Sequence, residues 1–270
     1  MFARILLCIC LFFSIIFLFY GFKVDTAYMV FSMPFVIAMA VIYVMSPQVN
    51  WWYYNKYPPT LDKRMAYMIQ QQSAFFQQLK PSDRERFLQR VALCVMAHDF
   101  MPMVMEEIPE DLKIVFATNL VQLTFGQENF LLESKFEKIV IYPTPFPSPQ
   151  FPKQFHSSEI YAEDGVMMFS AEHLMKGFAQ PQLYYNSGMH EAIQAYLQVY
   201  PDKDYPDLPD DIWAQLYTIS NFPEEKLRTW IGLEQINPMA VSMCHFLMFP
   251  ERFFAVLPEL SAQFKRILNY

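Results

Sequence analysis

The chain has 270 residues, enough for one sizeable domain with a full core and an additional segment. Its hydrophobic content of 54% and its 27 phenylalanines are high for a soluble protein, which points to a membrane segment. The formal net charge of -7 argues against a nucleic-acid partner, because a surface that binds phosphates is basic.

The first 50 residues predict a transmembrane helical hairpin. Two apolar stretches, at about 5–22 and 27–46, are each long enough to cross the roughly 30 Å hydrocarbon core as a helix. In the short turn between them, Lys23 and Asp25 are the charged residues. A cleaved signal peptide is the competing interpretation of the first stretch. No small-x-small cleavage site follows it, and a second apolar stretch comes at once, so we favour two spans.

The distribution of basic residues predicts the orientation of the hairpin. Basic residues lie outside the two spans on the sides of the termini: Arg4, Lys56, Lys63 and Arg64. The turn has only Lys23, offset by Asp25. The positive-inside rule therefore places both ends in the cytoplasm, which gives an inner (cytoplasmic) membrane protein whose soluble domain faces the cytoplasm. Four cysteines without a disulfide pattern agree with a reducing compartment.

Residues 51–78 read as a juxtamembrane segment. The aromatic cluster 51–54 suits the interface where the second span leaves the bilayer, although a core aromatic patch is the alternative. Pro58 and Pro59 predict an extended stalk, and a polar surface helix should follow up to Leu79.

Residues 79–270 predict a mostly helical α+β domain with a small sheet. Ser82 and Glu85 have capping-box spacing, which predicts a helix from about Asp83. A strand is predicted at 136–142, and the Asp164-Gly165 pair predicts a hairpin between 159–161 and 166–169. The helix that begins at Asp83 should end at about residue 97. Further helices are predicted at 109–126, 171–176, 187–199, 211–219, 224–233, 237–249 and 251–268, the last with a break at Pro258.

The segment from Asn186 to Tyr196 contains the sequence H-E-x-x-Q. In the H-E-x-x-H helix of zinc peptidases, two histidines one turn apart bind the metal and the glutamate activates the bound water. His190 and Glu191 occupy the positions of the first ligand and the general base, whereas Gln194 offers only an amide in place of the second imidazole. His190, Gln194 and Asn186 should share one face of the helix.

Together with this segment, other landmarks follow in order along 79–270: Lys80–Phe87, Ile139–Pro143 as I-x-I-Y-P, Gly165–Ser170, Ala240-Val241, Phe246 and Pro250-Glu251. With them the chain resembles the Mlc titration factor A family of zinc-dependent peptidases, as a degenerate member. The resemblance implies a zincin-like fold, with Glu191 as general base if the protein is an active enzyme. It also implies a strand beside the active-site helix, so we expect Val166, Met167, Met168 and Asn186 to line a peptide-binding cleft.

The sequence departs from the family at the metal ligands. The second histidine position aligns with Gln194, and the downstream acidic positions align with Asn237 and Cys244. A catalytic zinc needs three protein ligands, so we expect zinc binding to be lost unless Gln194, Cys244 or His245 replaces the missing donors beside His190. Whether the chain is an enzyme stays open at this point.

Three functions fit these observations. The leading hypothesis is a membrane-anchored pseudopeptidase that binds a peptide or protein partner. The first alternative is an active zinc metallopeptidase with an altered ligand set. The second is a structural membrane-interaction protein in which the hairpin, residues 1–50, carries the function.

Overall fold

The computed structural model describes residues 2–132 and 135–270. The chain divides into two compact units, Met1–Pro59 and Thr60–Tyr270. The boundary lies within the predicted juxtamembrane segment 51–78. Residues 51–59 therefore belong to the helical unit, and residues 60–78 belong to the α+β unit.

The first unit contains the two apolar helices that the sequence predicts. It consists of α1 (Phe2–Lys23), a 3₁₀ helix (Thr26–Ser32), α2 (Met33–Val44) and α3 (Ser46–Lys56). Both Phe2–Lys23 and Thr26–Val44 are long and apolar enough to cross a membrane. At 1.5 Å per residue, α1 is about 33 Å long, which matches the hydrocarbon core of a bilayer.

Small and aromatic side chains hold the hairpin together. Asp25 begins the 3₁₀ helix, because its carboxylate accepts a hydrogen bond of 2.9 Å from Ala27 N. Phe13 and Phe17 of α1 stack on Phe35 of α2. A Cβ added at Gly21 would lie 2.4 Å from Cγ of Met29, so glycine allows the close approach of the two segments at this point.

The predicted aromatic cluster 51–54 lies on α3. There the ring of Tyr53 stacks on Phe2, with centroids 4.3 Å apart. On the same helix, Oδ1 of Asn50 accepts a hydrogen bond of 2.9 Å from Ala3 N, near the start of α1. The start of the first apolar helix is therefore fixed to the helix that follows the second.

The second unit is mostly helical and includes a small mixed sheet, as the sequence predicts. Its helices are α4 (Lys63–Gln72), α5 (Ala74–Gln78), α6 (Pro81–Ala97), α7 (Glu110–Leu123), α8 (Ala171–Ala179), α9 (Ser187–Val199), α10 (Ile212–Ser220), α11 (Glu224–Ile231), α12 (Pro238–Met248), α13 (Pro250–Val256) and α14 (Pro258–Leu268). From Ile114 to Leu123, every residue of α7 is buried, which makes this helix the centre of the core.

The start of α6 corrects one prediction. The capping box of Ser82 and Glu85 is wrong, because the helix begins at Pro81 and its N-cap is Lys80. Proline suits the first helical position, since its fixed φ is helical and its missing N–H has no partner to lose there.

The sheet has four strands in the described ranges: β1 (Asp99–Pro102), β2 (Lys138–Tyr142), β3 (Ser158–Tyr161) and β4 (Val166–Ser170). Their order is β1-β2-β4-β3. β1 and β4 run parallel to β2, and β3 runs antiparallel to β4. The hairpin of β3 and β4 confirms the turn prediction, with Gly165 at φ +64. β1 was not predicted.

The H-E helix, α9, lies in the interior of this unit. It packs against α7, α12 and β3, so both the helical core and the antiparallel strand contact it. A Cβ added at Gly188 would lie 2.5 Å from Nδ2 of Asn119 and 2.5 Å from Cδ1 of Leu174. Glycine at the first turn of α9 is therefore required by the close packing against α7 and α8.

Candidate functional site

The sequence favours Asn186 or Ser187 as the cap of α9, and in the structure Asn186 is the cap. Oδ1 of Asn186 accepts a hydrogen bond of 2.9 Å from Met189 N, which satisfies a donor that the helix itself leaves unpaired. Nδ2 of Asn186 donates to Oδ1 of Asn119 on α7 at 2.9 Å. The cap and its link to α7 set the direction in which His190 and Glu191 project.

His190 is a buried, neutral histidine. Its Nδ1 lies 2.8 Å from the hydroxyl of Tyr185, and the residue is 2% exposed. The pKa of His190 is lowered to about 3, mainly by burial and to a lesser extent by charge repulsion from the nearby His245. The imidazole is therefore uncharged at neutral pH, and one of its two nitrogens is engaged within the protein.

The two proposed substitute ligands are also engaged. Sγ of Cys244 lies 3.8 Å from the carbonyl of Asn186 and hydrogen-bonds the Tyr185 hydroxyl, and burial raises the pKa of this thiol to about 12. The ring nitrogens of His245 lie 2.8 Å from the Val241 carbonyl and 2.8 Å from the Ser220 hydroxyl. Burial lowers the pKa of His245 to about 4.

Glu191 projects toward the sheet rather than toward His245. Oε1 of Glu191 accepts a hydrogen bond of 2.8 Å from the Ser158 hydroxyl on β3, and the side chain is buried. The pKa of Glu191 is raised to about 8, mainly by burial; the Ser158 hydrogen bond lowers it, and the charge of Glu159 adds to the rise. The carboxyl group is therefore mainly protonated at neutral pH, a state that cannot accept a proton from water.

Gln194 contacts Asn237, which the resemblance aligns with an acidic metal ligand. Oε1 of Gln194 accepts a hydrogen bond of 3.2 Å from Nδ2 of Asn237, the cap of α12. The resemblance aligns Asn237 with one of two acidic positions. Two amides thus face each other where an imidazole and a carboxylate would stand in a metal site.

These side chains, as arranged, do not offer three free donors to one zinc ion. No group of three His, Cys, Asp or Glu residues that could hold a metal occurs among residues 2–132 and 135–270. The hydrogen bonds described above engage donors of His190, Gln194, Cys244 and His245. We therefore derive no reaction step through zinc, and the expected loss of zinc stays a prediction.

The predicted peptide-binding strand needs a correction. Val166, Met167 and Met168 lie on β4, which pairs with β2 on one side and with β3 on the other. Their backbone groups are used by the sheet, so these residues cannot add a further strand. The edge of the sheet beside α9 is β3.

The ladder determines which groups of β3 face outward. Ser170 N donates to Ser157 O, so the alternation of an antiparallel pair directs the N–H and C=O of Ser158 and Ile160 away from β4. Ser158 is buried, whereas Ile160 is partly exposed. The backbone of Ile160 is thus the accessible point for strand addition on this edge.

The opposite edge, β1, has a proline at one of its two outward positions. Asp99 N donates to Glu137 O and Met103 N donates to Ile141 O, so the alternate residues Phe100 and Pro102 face outward. Pro102 has no N–H to donate. Proline on an edge strand is a common protection against unwanted pairing.

Tyr185 and Ser158 were missed by the sequence analysis. Tyr185 precedes the cap of α9, and Ser158 lies 33 residues before Glu191 in the chain. Neither position has a fixed spacing to the H-E pair that a motif could contain. The sequence could indicate only that His190 and Glu191, if buried, each need a polar partner, and not which residue that partner is.

No protein-family model matches the chain, and no curated protein matches it significantly. The class that the described geometry defines is an α+β unit with two candidate membrane-spanning helices before it. The peptidase resemblance rests on the sequence landmarks of residues 79–270 alone.

Proposed function

We propose that this chain is a membrane-anchored, zinc-peptidase-like protein of impaired catalysis that binds a peptide or protein partner. The observation that carries the proposal is the state of Glu191. A general base must reach water, whereas Glu191 is buried and hydrogen-bonded to Ser158.

The contact between Gln194 and Asn237 supports descent from a metal site. The resemblance assigns these two positions to the second histidine and to an acidic ligand. They are 43 residues apart in sequence, yet their amides are hydrogen-bonded at 3.2 Å. Such proximity is what replacement of two neighbouring ligands would leave behind.

The edge strand β3 is the proposed surface for the partner. An extended peptide would pair with the outward N–H and C=O of Ile160 and continue the sheet beside α9. Ile160 on β3 and Phe100 on β1 both direct an N–H and a C=O outward, and β3 is the edge that contacts α9.

The membrane part of the proposal rests on the two apolar helices and on the basic residues around them. Lys23 and Asp25 lie at the turn, whereas Arg4 and Lys56 lie near the other ends of the spans. The positive-inside rule then places the chain in the inner membrane, with the second unit on the cytoplasmic side.

The test uses the full-length protein in detergent, purified without chelator. Zinc content is measured by mass spectrometry, and binding of fluorescent extended peptides from a random library is measured by polarisation. We expect substoichiometric zinc and peptide binding that Ile160→Pro weakens at least about tenfold, since the outward N–H is lost without a break in the ladder. Ile160→Val is the matched control and should bind normally.

An active metallopeptidase is the alternative, and the His190 and Glu191 pair favours it. One zinc per chain that is lost in His190→Ala, together with peptide hydrolysis that is lost in Glu191→Gln, would establish this alternative and reject the first proposal. A purely structural membrane role predicts that a chain without residues 1–50 has no function, whereas the partner-binding proposal predicts that peptide binding persists in a folded truncation.

A further inference from the structure

A groove of about 520 Å³ runs along α1 in the first unit and is named here the α1 groove. Its lining residues all belong to α1: Arg4, Ile5, Cys8, Ile9, Phe12 and Phe13. The buried residues of α1 are Ala3, Ser14 and Gly21, which at 100° per residue lie on the opposite face of the helix. The α1 groove therefore faces the surrounding lipid when the hairpin spans a membrane.

The length of the α1 groove matches one leaflet of a bilayer. Arg4 and Phe13 mark its two ends, which are about 13.5 Å apart along the helix axis. Half of the roughly 30 Å hydrocarbon core is about 15 Å. Cys8 has the smallest side chain of the lining and lies near the middle, followed by the larger Ile9 and Phe12. Beyond Arg4 the lining is apolar and long enough for one acyl chain.

Arg4 supplies an unpaired positive charge at one end of the α1 groove. The ion pairs found among residues 2–132 and 135–270 all lie in the second unit. Within residues 2–59 the only acidic side chain is that of Asp25, which lies beyond the other end of α1. That helix is about 33 Å long, so the carboxylate is far from Arg4. A guanidinium is always charged in proteins, and its geometry matches that of a phosphate group.

A second cation, Lys56, lies at the same end of the hairpin. The ring of Tyr53 on α3 stacks on Phe2 at the start of α1, with centroids 4.3 Å apart. Lys56 is one turn further along α3, and its ammonium group lies 5.8 Å from the centre of the Trp52 ring. Tryptophan and tyrosine favour the headgroup region of a bilayer. This end of the hairpin therefore combines positive charge with aromatic rings that suit the membrane surface.

We propose that the α1 groove and Arg4 bind an anionic phospholipid from the leaflet in which α1 begins. One acyl chain lies along the apolar lining, and the guanidinium of Arg4 pairs with the phosphate. Lys56 adds to the attraction. A zwitterionic lipid carries its own cation beside the phosphate, so it gains less from these two positive charges. The proposal rests on the membrane anchoring in the proposed function and is independent of the partner surface at β3.

The test is native mass spectrometry of the full-length protein in detergent, titrated with phosphatidylglycerol or with phosphatidylcholine that has the same acyl chains. We expect phosphatidylglycerol to bind about fivefold tighter or more, which is the contribution of one cation near an anionic lipid. Glycerol 3-phosphate, which has the phosphate without acyl chains, should not displace the lipid at equal concentration. Equal binding of the two lipids, or displacement by glycerol 3-phosphate, would overturn the proposal.

Charge variants locate the headgroup. Arg4→Gln should reduce the preference for phosphatidylglycerol at least about threefold, because one of the two cations is lost. Lys23→Gln is the matched control, since Lys23 is exposed at the other end of α1 and should leave the preference unchanged. The same preference in both variants would show that Arg4 does not hold the phosphate.

A blocking variant locates the acyl chain. Cys8 is exposed in the α1 groove, so Cys8→Trp should fill the groove and weaken the binding of both lipids severalfold. Leu11→Trp is the matched control, because Leu11 is exposed on α1 and is absent from the lining. Equal affinities of the two variants, when circular dichroism shows both folded, would reject the α1 groove as the site. Cysteine labelling of the hairpin turn tests the two spans separately, so a failure of lipid binding is distinct from a failure of anchoring.

Discussion

The hydroxyl of Tyr185 lies 2.8 Å from Nδ1 of His190 and also hydrogen-bonds the Cys244 thiol. One phenol thus joins the histidine of the H-E pair to a helix that is more than fifty residues further along the chain. This contact gives His190 a structural partner inside the core, in a position where a peptidase would have a metal ligand.

Removal of this hydroxyl should destabilise the second unit. Tyr185→Phe leaves Nδ1 of His190 buried without a partner, so we expect a loss of about 1–3 kcal/mol in the free energy of unfolding. Urea denaturation followed by tryptophan fluorescence measures the change. Tyr184→Phe is the matched control, since Tyr184 is only partly buried and contacts the ring of Trp230. Equal midpoints for the two variants would contradict the role of Tyr185.

Glu191 should make the protein less stable as the pH rises from about 4.5 to about 8. Its pKa is raised from 4.5 to about 8 in the folded state, so the folded state holds a proton that the unfolded state releases. The contribution to stability is complete below pH 4.5 and is lost as the pH rises through 8. The slope is about 1.4 kcal/mol per pH unit.

The measurement compares wild type with Glu191→Gln between pH 6.5 and 8. An amide keeps the hydrogen bond from Ser158 and does not titrate, so its unfolding free energy should be flat where that of wild type falls by about 2 kcal/mol. Parallel curves for the two proteins would show that Glu191 is ionised in the fold.

The buried histidines His190 and His245 should make the protein sensitive to acid. The pKa of His190 is lowered to about 3 and that of His245 to about 4, while both are near 6.5 when unfolded. Their stabilising contribution is present above pH 6.5 and is lost as the pH falls toward 4. Because Glu191 changes stability in the opposite direction between pH 4.5 and 6.5, the acid loss is best measured in Glu191→Gln. No loss between pH 6.5 and 4 would contradict the burial of neutral imidazoles.

Restoration of two ligands should restore zinc binding. Gln194→His combined with Asn237→Glu gives two imidazoles one turn apart and a carboxylate beside them, because Gln194 and Asn237 are in contact. We expect about one zinc per chain in this variant, measured by mass spectrometry. Addition of His190→Ala is the control and should remove the metal. A double variant that folds and binds no zinc would contradict the proposed ancestry of the site.

The turn of the hairpin should be reached only from outside the cell. In a variant whose Cys8 and Cys10 are alanines, Asp25→Cys should react with a membrane-impermeant maleimide in intact cells, whereas Thr60→Cys should react only after lysis. The reversed pattern would reject the proposed orientation. Reaction of both in intact cells would reject two spans.

The elements that the sequence predicted best are those with a local cause. Asn186 caps α9 through its own side chain, and Gly165 gives the hairpin turn its positive φ. β1 was missed because Asp99–Pro102 has no β-branched residue and ends in proline. Only its pairing with β2, which is nearly forty residues away, makes this segment a strand.

The candidate site was predicted in part for the same reason. The spacing placed His190 and Glu191 on one helix, but it could not show that they point to different surroundings, one to Tyr185 and the other to Ser158. Adjacent residues on a helix differ by about 100° in direction, and tertiary packing decides what each one meets. The position of Val166–Met168 inside the sheet likewise depends on β2, a long-range partner.

The proline on β1 has a consequence for self-assembly. A sheet can grow into a fibre only if each copy both offers one open edge and accepts on the other, so that the chain of copies never ends. Here every contact that continued the sheet from one copy to the next would need β1, where the outward Pro102 has no N–H to donate. The proline therefore weakens the one edge through which copies joined at β3 could extend the sheet further.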